Sequence, residues 1–129
     1  MRPSHQLGDL QLAIMRVLWA REEATVREVH AALRRERGLA PTTIATMLKK
    51  MEKKGVIVHR AEGRRFVYRP TVSEEEVTRS MVGLLTLRLF DGNASALVSH
   101  LISGAEIDPD ELARLKGLIE RREAEEEAE

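Results

Sequence analysis

Four features are scarce or missing in this 129-residue sequence: cysteine, aromatic side chains, long hydrophobic runs and net charge. The lack of cysteine excludes a disulfide framework, a thiol nucleophile and any thiolate metal site. Aromatic residues make up only 3% of the chain, so its core has to be aliphatic, which favours helices over a β-sandwich. Hydrophobic residues, at 43%, are numerous enough for such a core and exclude wholesale disorder.

No run in the sequence approaches the roughly 20 consecutive apolar residues that a membrane-spanning helix needs. The N-terminal residues also lack the apolar segment of a secretory signal peptide. From these two absences we expect a cytoplasmic protein that does not insert into membranes.

The net charge of +0 conceals an uneven distribution of charged residues. Residues 1–70 carry fifteen Lys and Arg against seven Asp and Glu, which is a net charge of +8. Residues 71–129 carry six against fourteen, which is −8. Such a division indicates two separate tasks, with the basic half facing a polyanion. Acidic helices also solubilise many proteins, so the location of the basic residues has to decide.

The first 55 residues predict three helices. Residues 10–20 carry apolar side chains at helical spacing and form the first of them. Thr25 and Glu28 have the spacing of a capping box that opens the second helix. Pro41 suits the first position of the third helix and Gly55 suits the position just after its end. The three helices follow one another with short connections.

The third helix, over residues 41–54, has two dissimilar faces. One face is apolar and carries Ile44, Met47, Leu48 and Met51. The other contains no acidic residue, and for this helix by itself a solvated surface is an equally good interpretation. Short hydroxyl side chains can approach base edges and lysines can bind phosphates. The DNA-binding interpretation of this face assigns contacts to Thr42, Thr43, Thr46, Lys49, Lys50 and Lys53.

Residues 56–70 consist of two β-prone runs and predict a hairpin with its loop at Glu62-Gly63. This loop pairs Ile57 with Tyr68, His59 with Phe66 and Arg60 with Arg65. A short helix, a tight turn, a second helix and a basic hairpin are typical of the winged helix-turn-helix arrangement.

The charge of this region favours DNA as the polyanion. Residues 41–69 carry eight basic and two acidic side chains, a net charge of +6, where a recognition helix and a wing would meet phosphates. We therefore expect double-stranded DNA to be bound by the recognition helix (residues 41–54) and by the wing (residues 57–69). The wing adds three residues to the predicted DNA-binding set: Arg60, Arg64 and Arg65.

The second half of the chain predicts three short amphipathic helices. The first opens at the Ser73 capping box, the second follows the break at residues 91–93, and the third begins at Pro109. The acidic stretch 123–129 is expected to be a frayed, solvated tail. Three such helices bury little surface by themselves, so they require a partner, and a second copy of the chain is the simplest one. The alternative is that they pack back on the winged helix of a monomer. The expected dimer contacts are Leu84, Leu85, Leu97, Leu101, Leu112, Leu115 and Ile119.

The predicted fold is therefore mainly α with a small β-hairpin. Residues 1–72 form a winged-helix DNA-binding domain, and residues 73–129 form a three-helix dimerisation domain with an acidic tail.

Five segments of the sequence form a recognisable pattern: residues 7–19, 25–30, 40–55, 57–70 and 111–119. The most specific part extends from Pro41 to Gly55. In these segments, and so over nearly its whole length, the chain resembles the penicillinase-repressor (BlaI/MecI-type) family of bacterial winged-helix transcriptional regulators. The resemblance implies a homodimeric repressor that binds an inverted-repeat operator, with an N-terminal winged helix and a helical C-terminal dimerisation domain.

Two branches of the family are released from DNA by routes that this sequence does not match. The copper-responsive branch carries paired cysteines, which are absent here. The antibiotic-responsive branch is cut at an Asn-Phe bond by a protease linked to a membrane sensor, and the matching position here is His100-Leu101. We expect release to come from cutting or loosening residues 91–105, with such a protease as a possible partner.

Other classes of function fit the sequence less well. No nucleophile–base pair or phosphate-binding glycine loop is present, and the four histidines are scattered, so we expect no enzyme, no catalytic residue, no metal site and no cofactor. Two alternatives stay open. One is a winged helix that binds an acidic protein, and the other is a regulator with a small-ligand pocket between its domains.

Overall fold

The computed structural model describes residues 6–104 and 107–128, apart from the side chains of residues 36 and 37. These residues form a mostly helical fold with a three-stranded antiparallel sheet, and the predicted fold class is confirmed. In chain order the elements are α1 (Asp9–Arg21), β1 (Ala24–Thr25), α2 (Val26–Arg37), α3 (Pro41–Lys54), β2 (Ile57–Glu62), β3 (Arg65–Pro70), α4 (Glu74–Phe90), α5 (Ala94–Ser103) and α6 (Pro109–Ala128).

The ends of α2 and α3 follow the signals in the sequence. The Glu28 N–H donates to Thr25 Oγ1 at 3.2 Å and the Thr25 N–H donates to Glu28 Oε1 at 2.9 Å, which confirms the capping box. Gly38 and Gly55 follow α2 and α3 with φ of 56° and 83°, a left-handed conformation that favours glycine. Helix α3 therefore has the predicted bounds, and α2 begins where the capping box predicts.

The sheet contains one strand that the sequence did not predict. Strand β1 pairs with β3, so that the order across the sheet is β1-β3-β2. A two-residue strand is too short to carry an alternating pattern. Its second residue, Thr25, is at the same time the N-cap of α2. Strand β1 therefore joins the beginning of α2 directly to the wing.

The predicted register of the hairpin is wrong by two residues. The loop is Gly63-Arg64, and Glu62 pairs with Arg65 while His59 pairs with Tyr68. Gly63 has a φ of 65°, and glycine at the first position of a two-residue loop is typical of a tight hairpin turn. Because the shift is even, each residue keeps its predicted face of the sheet.

The core is aliphatic, as the composition predicts, and it lies where α1, α2 and α3 pack against the sheet. Tyr68 is its one aromatic member among the buried residues described. Trp19 packs at the edge of the core, and its Nε1–H donates to the backbone oxygen of Val72 at 2.9 Å. The largest fully buried side chains are Ile14, Met15, Leu18, Val29, Ile44, Leu48, Met51, Ile57 and Val77.

The chain divides into two compact units, Met1–Leu84 and Leu85–Glu129. The first unit contains the winged helix together with the first part of α4, because Val77 of α4 is buried in the core. The sequence placed the domain boundary between residues 72 and 73, just before α4. The assignment of the two parts to DNA binding and dimerisation stays a prediction.

The second unit has helices whose starts match the sequence signals. Asn93 Oδ1 accepts the Ala96 N–H at 3.1 Å at the start of α5, and Asp108 Oδ1 accepts the Glu111 N–H at 2.9 Å at the start of α6. None of the residues described in α5 or α6 is buried. These helices therefore leave their apolar side chains accessible within this chain.

The acidic stretch is helical over residues 123–128, so the expectation that it is frayed is wrong there, although these residues are exposed to solvent as expected. Helix α6 continues to Ala128. Alanine and glutamate are both strong helix formers, and Arg122 pairs with Glu126 one turn later at 3.5 Å. Helix propensity and this ion pair together extend the helix over residues that bury no apolar surface.

Replacing Leu48 with alanine should lower the free energy of unfolding by about 2–5 kcal/mol, because its fully buried side chain leaves a cavity between α3 and the sheet. Urea denaturation followed by the fluorescence of the single Trp19 measures this loss. The control is Lys50→Ala on the exposed face of the same helix, expected to change stability by no more than about 0.5 kcal/mol. Equal effects of the two substitutions would contradict the placement of α3.

Candidate nucleic-acid interface

Helix α3 presents one continuous polar face. Its opposite face is buried through Ile44, Leu48 and Met51, which fixes the rotation of the helix. Glu52, the only acidic residue in α3, is half-buried and pairs with a residue of β2. The polar face consequently exposes no carboxylate. It brings together the six predicted residues, all of which are exposed: Thr42, Thr43, Thr46, Lys49, Lys50 and Lys53.

One hydroxyl group on this face already has a partner. Thr46 Oγ1 donates to the backbone oxygen of Thr42 at 2.9 Å, one helical turn earlier. This bond uses the hydroxyl hydrogen and holds the side chain in one orientation. The Thr46 methyl group and the oxygen lone pairs are left for an external contact, which suits a thymine methyl or an amino group of a base.

The three predicted arginines of the wing differ in their contacts with carboxylates of the same chain. Arg64 occupies the hairpin loop, is exposed, and has no side-chain partner within residues 6–104 and 107–128. Arg65 makes a long contact with Glu62, at 3.5 Å, and its charge also acts on the carboxylate of Glu28. Arg64 is thus the wing cation most accessible to a phosphate.

Arg60 is held by two carboxylates of its own chain. Its guanidinium donates to both oxygens of Glu23, at 2.5 and 3.0 Å, and to Glu62 at 3.0 Å. The hydrogen bond from Arg60 also holds the pKa of Glu23 below its usual value. Arg60 therefore has to leave these partners before it can bind a phosphate, which makes it the weakest of the predicted DNA contacts.

Another basic side chain, which the sequence analysis did not single out, lies beside the wing. Arg27, in the first turn of α2, lines an open cleft with Arg64, Arg65 and the exposed ring of Phe66. Arg27 is remote from the wing in sequence. Only the pairing of β1 with β3 brings the start of α2 next to the hairpin.

Two other contacts of α3 were also missing from the sequence interpretation. Lys54 donates to the backbone oxygen of Gln6 at 3.2 Å and to Gln11 Oε1 at 2.9 Å, which ties the end of α3 to the start of α1. Glu52 binds His59 of the wing. Neither pair follows a local spacing rule that a sequence could reveal.

The predicted dimer contacts all lie on α4, α5 and α6. Leu84, Leu97 and Leu115 are half-buried, and the other four are exposed. The second unit exposes further large apolar side chains, up to 69% for Leu89. The exposed members of the predicted set are Leu85, Leu101, Leu112 and Ile119.

Within the described part of the chain, no group of three or more His, Asp or Glu side chains is placed to hold a metal ion. No single described helix is long and apolar enough to cross a membrane, although α4 and α5 together, as a bent pair, meet the length and composition of a span.

The sequence that forms these elements matches a known family. The model of that family, described as penicillinase repressor, matches residues 7–121. The chain belongs to the penicillinase repressor family. Members of this family are DNA-binding transcriptional regulators and not enzymes.

Relatives in the family cover nearly the entire chain. The penicillinase repressor of Bacillus licheniformis is 28% identical over 93% of this chain and 94% of its own length. The transcriptional regulator BlaI of Mycobacterium tuberculosis is 34% identical over 92% of this chain and 86% of its own. A solution structure of Bacillus licheniformis BlaI, in its monomeric form with the blaP half-operator, is 37% identical, with a TM-score of 0.50. The match covers 59% of this chain and 93% of the chain in that structure.

Proposed function

We propose that this protein is a homodimeric transcriptional repressor of the cytoplasm that binds an inverted-repeat operator in double-stranded DNA. Helix α3 lies in the major groove and the wing lies on the neighbouring backbone. Each chain of the dimer reads one half-site, so the two-fold symmetry of the protein matches that of the operator.

The observation that carries this proposal is the polar face of α3. Three threonines occupy its first turns and three lysines its later turns, all exposed, while the one carboxylate of the helix is turned away to β2. Recognition helices place residues near their N-terminus at base edges. Threonines are short enough for that approach, and lysines are long enough to reach phosphates on either side. A face without exposed carboxylates avoids repulsion from the DNA backbone.

The homodimer is supported by the exposed apolar side chains of the second unit. Contiguous apolar surface on a monomer marks an interaction site. The described residues of α5 and α6 expose Val98, Leu101, Ile102, Leu118 and Ile119 by 37–55% each. A second copy of the chain presents the same surface and can bury it around a two-fold axis.

Replacing Thr46 with alanine should relax the preference for one base pair of the half-site, at a cost of about 1–3 kcal/mol on the preferred sequence. The substitution removes the methyl group and hydroxyl oxygen that face outward. Binding to a set of operators, each with one base pair changed, measures the preference. The matched control is Thr78→Ala, an exposed threonine of α4. If Thr46→Ala weakened binding to every sequence equally, Thr46 would not be a base-reading residue.

A mobility-shift titration against the promoter of the protein's own gene tests the proposed function. We expect a specific complex that resists competitor DNA and weakens steeply with salt, because phosphate contacts release counterions. Absence of a specific complex at moderate salt would contradict the proposal and favour a winged helix that binds protein. A complex that dissociates when a small molecule is added would favour the ligand-responsive alternative for its control.

A further inference from the structure

A partly buried contact between Glu52 and His59 links the recognition helix to the wing. His59 Nδ1 lies 2.7 Å from Glu52 Oε1 and 2.8 Å from Oε2. The backbone N–H of His59 donates to Oε2 at 3.2 Å. The side chains are 32% and 29% exposed, so solvent reaches the pair only in part. Glu52 thus accepts two hydrogen bonds from a single residue of β2.

The imidazole is held on its other side by aromatic rings of β3. His59 stacks on Phe66 with ring centroids 4.3 Å apart, and its ring centroid lies 5.4 Å from that of Tyr68. Burial and the neighbouring Glu52 carboxylate raise the pKa of Tyr68, which keeps its phenol neutral. The histidine therefore joins three elements: α3 through Glu52, β2 through its own backbone, and β3 through the stack.

The wing is tied on its second face as well. Successive residues of a strand point to opposite faces, and Arg60, directly after His59, binds Glu23 next to β1. The hairpin is consequently held between two ties, one to the recognition helix and one to the other edge of the sheet. Of these two ties, the Glu52–His59 contact is the one that joins the wing to α3.

We infer that Glu52 and His59 are positioning residues for operator binding. Their contact, hereafter the α3–wing latch, fixes the hairpin so that Arg64 reaches its phosphate while α3 lies in the groove. This inference rests on the proposed function, since it assigns a task within the same DNA interface. Neither residue touches DNA, and both act through Arg64.

The latch predicts that Arg64 loses its effect when Glu52 is removed. In the otherwise unchanged full-length protein, Arg64→Ala removes one phosphate contact from each chain of the dimer. It should therefore lower the slope of log affinity against log salt by about two and weaken binding about 25-fold at 0.15 M salt. In the Glu52→Ala background, Arg64→Ala should change neither quantity. Fluorescence anisotropy with a labelled fragment of the protein's own promoter, over a series of KCl concentrations, measures all four proteins.

Glu52→Gln is the matched control, because it removes the same charge but keeps an acceptor oxygen for His59. It should retain the effect of Arg64→Ala, and so separates the hydrogen bond from the charge of Glu52. His59→Ala breaks the latch from the wing side and should reproduce Glu52→Ala. This second variant keeps the test decisive if thermal melting shows that Glu52→Ala does not fold.

Three outcomes would overturn the inference. An equal effect of Arg64→Ala with and without Glu52 would show that the wing is positioned without the latch. Loss of the Arg64→Ala effect in Glu52→Ala and Glu52→Gln, together with its retention in His59→Ala, would assign the role of Glu52 to its charge and not to the contact with His59. No effect of Arg64→Ala in the unchanged protein would instead refute the wing contact of the proposed function, and the latch with it.

Discussion

Replacing Leu101 and Ile119 together with glutamate should convert the protein to a monomer and weaken operator binding by a factor of about 10²–10⁴. Both side chains belong to the exposed apolar surface of the second unit, at 41% and 55% exposure. In a dimer each glutamate would be an unpaired charge removed from water, which is costly. Once the dimer is lost, the second half-site contact no longer benefits from the high effective concentration that the link provides.

Sedimentation velocity and anisotropy titration on the same samples measure the two effects together. The control replaces Thr78, an exposed residue of α4 in the first unit, with glutamate and should change neither the mass nor the affinity by much. A double variant of Leu101 and Ile119 that still sediments as a dimer would place the interface elsewhere. A monomeric variant with undiminished affinity would contradict binding to two half-sites.

Replacing Lys49, Lys50 and Lys53 with alanine should weaken binding to all DNA sequences by a factor of about 10⁴ at 0.15 M salt, because the dimer loses three phosphate contacts from each of its chains. Each phosphate contact changes the affinity by about fivefold at this concentration, since log affinity falls with log salt by about 0.9 per contact. The slope itself should fall by about five. All three side chains are exposed on one face of α3, and alanine preserves the helix.

The control for the lysine variant removes the same number of cations from α6, by changing Lys116, Arg121 and Arg122 to alanine. These residues lie in the second unit, and Arg122 already pairs with Glu126. We expect this control to keep the salt slope of the unchanged protein. If both triple variants lost the same slope, binding would depend on overall charge and not on the face of α3.

The helices of this protein could be predicted from the sequence because their signals are local. Helix α2 begins at the Thr25–Glu28 capping box and α3 begins at Pro41. A glycine follows the end of each helix. The exposed face of α3 follows from the spacing of its buried residues by the same reasoning.

The wing shows where local reasoning becomes insufficient. Gly63 is compatible with either position of a two-residue loop, and the sequence interpretation put it second where the structure has it first. The choice depends on the pairing of β3 with β1 and on the burial of Tyr68, which are tertiary contacts. The faces of the strands were nevertheless predicted, because a shift of two residues leaves them unchanged.

The ion pairs that shape the interface could not be predicted from spacing. Glu23 and Arg60 are 37 residues apart, and the fold brings them together only through the sheet. The sequence therefore counted Arg60 as a free cation equal to Arg64. Glu52 and His59 are only seven residues apart in the sequence, but their contact depends on the angle between α3 and β2. The net charge of residues 41–69 follows from the sequence alone. Which of their charged side chains are paired within the chain could be seen only in the structure.

The central claim is that two copies of this chain bind one inverted-repeat operator. Hydroxyl-radical footprinting of the full-length protein on the promoter of its own gene tests it most directly. Binding by a dimer should give two patches of protected backbone, related by a dyad and with centres about one helical turn or a multiple of it apart. A single protected patch without a symmetric partner, under conditions that saturate the DNA, would contradict it.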